Sequence, residues 1–338
     1  MAREERIAFL KKIEEKRGSR VLAYISGDRR NLETKIASDI FPMVHRHLIQ
    51  IGRQKKIDLF LYSTGGITIA GYALVNLIRE FCDEFNVIIP FKALSCATLI
   101  SVGANEIIMT PMAQLSPIDP SIEHPLGPSV QIPGQPAGRI APLNVEDVSA
   151  FVDLAKTEFG LKTEESLQKV FELLCSKVNP VALGAVRRVT EQIGFLASNL
   201  MKYHCNNKEL IKKVTGTLIR ERFSHDYIIN RKEARETLGL NITDPDEKLT
   251  DFIIGLFDAY SSIIQLDVPY TPEIVLRNAD SGIFTFNRGM IESSALTHVF
   301  RTIREVRRVQ ITQQNIPIPV MGYQERVLDE RWVEDNQM

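Results

Sequence analysis

The chain has 338 residues, of which 44% are hydrophobic and 25% are charged, so it is long enough to bury a core of normal size as one large domain or two. Its formal net charge of -1 argues against a nucleic-acid-binding surface. No apolar run reaches the roughly eighteen residues that a membrane helix needs, and the charged N-terminus lacks a signal-peptide core. We therefore expect a cytoplasmic protein without a membrane span.

The N-terminal third of the chain alternates between apolar, strand-like runs and helix-like segments. Helices are predicted at 2–17, 39–52, 67–83 and 96–103, and strands at 20–25, 58–62, 86–91 and 106–109. Continuously apolar strands that alternate with helices are typical of a parallel sheet covered on both faces. The pattern therefore predicts an α/β fold of repeated strand-turn-helix units with right-handed crossovers.

Beyond this region the pattern becomes mainly helical. Residues 121–143 are rich in proline and glycine and are too long for a plain connector, which is typical of functional or mobile loops. Further helices are predicted at 145–159, 163–177 and 180–205.

The C-terminal part mixes strand-like and helical patches. Residues 273–277 and 282–286 are predicted to pair as strands, and the acidic tail after Gly322 is expected to be partly disordered. We therefore divide the chain into a core with its following helices, residues 1–210, and a C-terminal helical and α+β extension, residues 211–338.

The cysteines and histidines show no pattern of a metal site. Cys82, Cys96, Cys175 and Cys205 include no CxxC pair, and a disulfide framework is untypical of a cytoplasmic chain of this size. The histidines at positions 45 and 47 lie two residues apart on a predicted helix and so face different directions. We expect neither a metal nor a cofactor.

Two turns that follow neighbouring predicted strands carry the residues of greatest chemical interest. Ser63-Thr64-Gly65-Gly66 follows one apolar run, and Ser95 follows the next strand in the run Ala93-Leu94-Ser95-Cys96. Each turn opens a predicted helix, whose N-terminus exposes backbone N–H groups that favour negative charge. A serine at this position can be a nucleophile that faces an oxyanion hole, or it can simply cap its helix.

These turns resemble those of a known protease clan. Residues 63–71 are similar to the glycine turn and following helix of the Clp protease proteolytic subunit and of signal peptide peptidase A. The serine turn Ser95-Cys96-Ala97-Thr98, with residues 106–109 and 115–120 after it, most resembles the serine dehydrogenase proteinase family. The resemblance is specific from about residue 20 to 122 and weaker from about 140 to 265.

The resemblance implies a fold and an activity. The fold is a ClpP/crotonase-like superhelix of repeated strand-turn-helix units, with added C-terminal helices and a small α+β appendage. The activity is that of a serine peptidase similar to signal peptide peptidase A, acting on peptide or protein substrates as a homo-oligomer. The cytoplasmic location expected from the N-terminus departs from that resemblance, since many relatives of signal peptide peptidase A are membrane-anchored. In this clan Ser95 would be the nucleophile, and N–H groups of Gly65, Gly66 and Cys96 would hold the oxyanion.

The general base is left open by the resemblance. The Clp subunit uses a histidine after the serine, and His124 is the histidine nearest to Ser95 along the chain. Signal peptide peptidase A uses a lysine, for which Lys156 and Lys162 are candidates. Asp119 lies close to the position of the Clp histidine and is either a residue that orients the base or a turn residue.

Two other functions remain open. An enoyl-thioester hydratase or isomerase of the same fold also uses paired turn N–H groups, but it needs no serine at the second turn. A non-catalytic oligomeric scaffold is favoured by Cys96, by Ser116 in place of a family glycine, and by the lack of an obvious base.

Overall fold

The structure is a computed structural model that describes residues 2–118, 121–122, 124–130, 139–140, 143–220, 227–311 and 320–337. The chain forms two compact units, one from Met1–Leu115 with Asn230–Met338 and the other from Ser116–Ile229. The first unit thus contains both ends of the chain. The division into domains at residue 210 stays a prediction.

The secondary structure follows the chain in this order. The helices are α1 (Arg3–Arg17), α2 (Phe41–Ile51), α3 (Thr68–Arg79), α4 (Cys96–Val102), α5 (Val145–Thr157), α6 (Glu164–Lys177), α7 (Pro180–Met201), α8 (Lys208–Arg220), α9 (Arg231–Glu236), α10 (Glu247–Ile264) and α11 (Pro272–Leu276), with a 3-10 turn at Ser38–Ile40. The strands are β1 (Arg20–Ser26), β2 (Gln54–Tyr62), β3 (Cys82–Ile89), β4 (Lys92–Ala93), β5 (Glu106–Met109), β6 (Gln114–Leu115), β7 (Ser121–Ile122), β8 (Ser129–Val130), β9 (Arg139–Ile140), β10 (Leu143–Asn144), β11 (Ile229–Asn230), β12 (Ile242–Thr243), β13 (Ser281–Glu292), β14 (Thr297–Ile311) and β15 (Val320–Glu334).

A single large sheet dominates the first unit. It has eight strands in the order β12-β5-β3-β2-β1-β13-β14-β15. From β12 to β1 all neighbours are parallel, and the register places Phe60 between Ala23 of β1 and Ile88 of β3. These apolar rows are fully buried, as expected for a parallel sheet with covered faces. The predicted α/β fold is confirmed.

Helices cover the sheet and form its core. On one face α1 packs against α10, and Leu10, Ile13 and Ile253 are completely buried between them and the strands. The ring of Tyr260 lies with its centroid 6.1 Å from that of Phe60 in β2. Elsewhere α3 packs on both β3 and α4. The helices that follow β2 and β4 are therefore fixed side by side.

The C-terminal strands extend the large sheet. β13 pairs antiparallel with β1, and β14 and β15 continue in the same antiparallel manner. The tail after Gly322, expected to be partly disordered, instead lies in β15. The strand expected at 273–277 is also wrong, because Pro272 begins a short helix there and Thr271 Oγ1 accepts a hydrogen bond from the Ile274 N–H.

The second unit is mainly helical, and side-chain caps begin two of its predicted helices. Thr163 accepts a hydrogen bond from the Ser166 N–H at the start of α6, and Asn179 accepts one from the Val181 N–H at the start of α7. Helix α7 packs against α8. Across both units, no helix within the described residues is long and apolar enough to cross a membrane.

Candidate functional site

The two turns singled out in the sequence lie side by side in the first unit. Ser63 and Ala93 form a parallel bridge between the end of β2 and β4. The Ser63 N–H donates to the Lys92 carbonyl over 2.9 Å, and the Leu94 N–H donates to the Ser63 carbonyl over 3.0 Å. Parallel neighbouring strands end at the same edge of a sheet, and these bonds bring the following turns together.

Gly65 lies directly against Ser95. A Cβ atom built on Gly65 would lie 2.9 Å from the Ser95 Cβ, closer than real Cβ atoms come, and 3.2 Å from its Oγ, a tight contact. The φ angle of Gly65 is 118°, a region that side chains rarely adopt. Only glycine therefore allows the first turn to approach the serine this closely.

Ser95 itself has an unusual backbone conformation. Its φ of 51° and ψ of -113° are uncommon for a residue other than glycine, and such a conformation typically costs about 1–3 kcal/mol. Ser95 stands at the N-cap position of α4, yet its side chain makes no capping hydrogen bond. The simple role of a helix cap therefore does not explain this serine, whereas a strained strand-to-helix turn is typical of exposed nucleophiles.

The backbone N–H groups of the two turns differ in how they are used. The Gly65 N–H donates to the Ser63 Oγ over 3.0 Å. Among the described residues, neither the Gly66 N–H nor the Cys96 N–H has a hydrogen-bond partner. Unpaired N–H groups on adjoining turns are the donors that an oxyanion hole requires.

Ile36 holds the glycine turn through its backbone. Its N–H donates to the Gly65 carbonyl over 2.9 Å, and its carbonyl accepts from the Ile67 N–H over 2.8 Å. A Cβ on Gly66 would lie only 2.3 Å from the Ile36 carbonyl oxygen. The position of the Gly66 N–H is thus set by the backbone of Ile36.

Sequence analysis missed both residues that fix the glycine turn. A single buried isoleucine in an irregular connection carries no pattern, so Ile36 could not be recognised. Ser63 carried a usable signal, because a serine placed two residues before the N–H that it accepts is a common turn device.

Cys96 contributes its backbone N–H to the candidate site, whereas its thiol takes no part in it. The side chain is completely buried, its Sγ donates to the Ile67 carbonyl over 3.3 Å, and a Cβ on Gly71 of α3 would lie 2.5 Å from it. Burial raises the pKa of the Cys96 thiol to about 12. The thiol therefore stays protonated near neutral pH and does not compete with Ser95 as a nucleophile.

A charged cluster flanks the two turns. The Lys92 ammonium lies 2.7 Å from a carboxylate oxygen of Asp28, and the Tyr62 hydroxyl donates to the other oxygen over 2.6 Å. Burial raises the pKa of Tyr62, and the hydrogen bond to Asp28 raises it further to a smaller extent. The Lys92 side chain is thus engaged with Asp28.

The candidates for the general base lie outside the first unit. His124, Lys156 and Lys162 belong to the second unit, and Asp119 lies outside the described residues. His124 accepts a hydrogen bond from the Leu126 N–H through Nδ1 over 3.2 Å, Lys156 is half-buried in α5, and Lys162 is exposed. The identity of the base stays a prediction. In the part of the chain that the structure describes, no group of three His, Cys, Asp or Glu side chains could hold a metal ion.

Comparisons with known protein sequences show which family part of this chain resembles. Residues 1–135 match the family model of the ClpP-like SDH-type serine proteinases, which confirms the predicted resemblance. The uncharacterized protein MJ1495 of Methanocaldococcus jannaschii is 24% identical over 289 residues, which cover 81% of this chain and 85% of the relative. The uncharacterized protein MJ0137 of the same organism is 24% identical over 213 residues, or 63% of this chain and 61% of that relative. The chain thus spans less than two thirds of the second relative.

Two solved structures are also similar to part of this chain. Both are mutants of 1510-N, a membrane-bound stomatin-specific protease, and one is in complex with a substrate peptide. The complex has a TM-score of 0.36 and 14% identity and covers 63% of this chain and 72% of that one. The second has a TM-score of 0.38 and 14% identity and covers 63% and 76%. These likenesses are too distant to carry a conclusion about this chain.

Proposed function

We propose that this chain is a serine peptidase with Ser95 as its nucleophile, a proposal supported by the match of residues 1–135 to the model of the ClpP-like SDH-type serine proteinase family. The observation that carries the proposal is the contact between the two turns. A serine with a φ of 51° lies against a glycine that nothing larger could replace. Ser95 thus adjoins the turn that carries the Gly66 N–H, and within the described part of the chain neither this N–H nor that of Cys96 has a hydrogen-bond partner.

The proposed reaction follows from these groups. Ser95 Oγ attacks the carbonyl carbon of a peptide bond, and its proton passes to the general base. The N–H groups of Gly66 and Cys96 bind the oxygen as it becomes negative, and loss of one such donor typically raises the barrier by about 3–4 kcal/mol. The C–N bond then breaks as the base returns the proton to the leaving amine. Water hydrolyses the acyl-enzyme ester and regenerates Ser95.

Gly65 has a different part in this proposal. Its N–H is already bonded to Ser63, so we assign the oxyanion to the other two donors. Gly65 instead provides the close approach between the turns. Its substitution is therefore expected to displace the turn without removing a donor.

The base is proposed to be His124, Lys156 or Lys162, from the same chain or from another subunit, with Asp119 as a possible orienting residue. A pH–rate profile separates the first possibility from the others. A histidine base gives an inflection near its ordinary pKa of about 6.5. A desolvated lysine gives one at higher pH, and catalytic lysines are commonly lowered to about 7–8. The three variants His124→Gln, Lys156→Met and Lys162→Met then identify the residue whose loss removes that inflection.

We also propose that the enzyme acts on peptides in the cytoplasm, in the manner of signal peptide peptidase A, and assembles as a homo-oligomer. Large apolar side chains on the helices of the second unit support the assembly. Phe171, Val181 and Phe195 are 58–64% exposed, and exposed apolar side chains that form a contiguous patch mark protein–protein interfaces. Light scattering during gel filtration tests this, and a monomeric mass would contradict it.

Labelling with a fluorophosphonate tests the nucleophile. We expect the wild-type protein to be labelled on Ser95, as located by mass spectrometry, and Ser95→Ala to lose both the label and peptidase activity. Ser262→Ala, which changes an exposed serine of α10 in the same unit, is the matched control and should be labelled normally. Absence of a label on Ser95 in the folded wild-type protein would contradict the peptidase. Retention of turnover by Ser95→Ala would instead favour thioester chemistry.

A further inference from the structure

The segment that holds the glycine turn has few regular contacts of its own. It connects β1 to α2 and includes Ile36, whose backbone fixes Gly65 and Gly66. Apart from the 3-10 turn at Ser38–Ile40, the segment has no helix or strand. Its position must therefore be set by neighbouring elements.

Arg288 of β13 holds the segment on the N-terminal side of Ile36. Its Nε donates to the Leu32 carbonyl over 2.9 Å, and its Nη2 donates to the Glu33 carbonyl. Its Nη1 donates to Thr302 Oγ1 over 3.1 Å and is paired with the Glu330 carboxylate. The guanidinium thus joins β14 and β15 to two successive carbonyl groups of the segment. A planar guanidinium with fixed donors suits this role better than a flexible ammonium.

The backbone of Arg288 adds to this attachment. Its carbonyl accepts a hydrogen bond from the Gly27 N–H over 3.0 Å and one from Thr34 Oγ1 over 3.3 Å. The side chain is only 13% exposed, and its guanidinium carbon lies 5.5 Å from the centre of the Phe300 ring. These contacts hold Arg288 in place, so that its guanidinium donors keep a defined position relative to the segment.

Trp332 of β15 holds the segment on the other side of Ile36. Its Nε1 donates to the Asp39 carboxylate over 2.8 Å, and its ring lies 5.3 Å from that of Phe300. A cavity of about 310 Å³ lies here, and both the segment and the C-terminal strands line it. Hydrogen bonds beside this cavity, together with the buried side chains of Leu32 and Ile36, therefore hold the segment in place.

We infer that Arg288, with Trp332, is a positioning residue for the oxyanion hole: the C-terminal strands hold the Leu32–Asp39 segment, and that segment sets the Gly66 N–H through Ile36. Both residues lie outside the region that matches the protease family. The inference rests on the proposed function, because a fixed Gly66 N–H matters for catalysis only if Ser95 is the nucleophile. Small displacements of such a donor have large effects on rate.

The test compares Arg288→Met with wild type by peptidase kinetics and by hydrogen exchange. Methionine keeps an apolar stem beside Phe300 but removes every donor. We expect kcat and the maximal rate of Ser95 labelling to fall by about 10- to 100-fold with KM changed less than about twofold. The amide protons of Ile36 and Ile67 should exchange faster, while those of β3 should not change. Arg288→Lys, which can restore one hydrogen bond, should recover part of the rate.

Arg331→Met is the matched control, since Arg331 lies on β15 with a side chain that is 70% exposed, and it should behave as wild type. If Arg288→Met does not fold, Trp332→Phe removes only the bond to Asp39 and should lower kcat by about 3- to 10-fold. An unchanged kcat in folded Arg288→Met, or a change in KM alone, would overturn the inference while the proposed function stands. Absence of wild-type labelling at Ser95 would instead refute the proposed function and the inference together.

Discussion

A buried pair of histidines should make the stability of this protein depend on pH. His47 of α2 is completely buried, its Nδ1 lies 2.8 Å from Ser293 Oγ, and its Nε2 lies 3.0 Å from Nδ1 of His298. Burial, and then repulsion from His298, lower the pKa of His47 from 6.5 to about 3. The other charged groups that affect this pair are Glu334, 4.0 Å from His298 Nε2, and Arg46.

The direction of the effect follows from the protons that each state binds. His47 stays neutral in the folded protein but takes up a proton in the unfolded chain below pH 6.5. Stability is therefore fully present above that pH and is lost as the pH falls towards the folded pKa. At pH 5, which is about 1.5 units below the pKa of the histidine in the unfolded chain, this corresponds to about 2 kcal/mol of lost unfolding free energy. Burial also lowers the pKa of His298, which adds a loss of the same sign.

Urea unfolding at pH 7.5 and pH 5 measures this loss. The His47→Gln variant keeps polar atoms near Ser293 and His298 but cannot take up a proton, so its stability should fall by about 2 kcal/mol less than that of wild type over this range. His45→Gln is the matched control, because His45 is exposed on the same helix, and it should follow wild type. Equal losses in the His47→Gln and His45→Gln proteins would refute the reasoning.

Three further substitutions test the core, a helix and the site. Arg6→Ala leaves the buried Glu292 carboxylate without the guanidinium that lies 2.8 Å away, and the unfolding free energy should fall by about 3–5 kcal/mol in urea titrations; a loss below about 1 kcal/mol would contradict this. Gly184→Ala adds a Cβ within α7 that meets nothing within 4 Å, so thermal unfolding of the second unit should show a gain of about 1 kcal/mol. Gly65→Ala forces a Cβ to 2.9 Å from Ser95, and labelling should slow by about 100-fold; normal labelling would show that the turns are not in contact.

The N-terminal elements were predictable because their signals are local. The strand-like runs before Ser63 and Ser95 are continuously apolar, and parallel strands place their following turns at one edge. The meeting of those turns follows from this rule without knowledge of any other part of the chain. The backbone strain of Ser95 and the hydrogen bond of Gly65 to Ser63 could not be predicted from that rule. Both depend on the three-dimensional path of the turns.

The pairing of the C-terminal strands could not be predicted from local sequence patterns. Nothing in residues 281–292 indicates that they pair with β1, since antiparallel pairing over such a distance depends on the whole fold. The charged tail forms a strand because its side chains find partners on β14, as Glu325 does with Arg304 over 2.7 Å. The helix at Pro272–Leu276, by contrast, was predictable, because Thr271 and Pro272 are ordinary signals of a helix start. The apolar residues that follow them were interpreted as a strand instead.

The unit formed by both ends of the chain has a consequence for synthesis on the ribosome. β1 acquires its neighbour β13 only after Ser281 has been translated, although the opposite edge of β1 meets β2 early. At about 5–20 residues per second, the nascent β1 edge waits for tens of seconds. The intervening helical unit, Ser116–Ile229, emerges meanwhile. If the inference about Arg288 holds, newly made chains acquire a fixed oxyanion hole only after Arg288 and Trp332 have been translated, which would delay peptidase activity until β13 to β15 have formed.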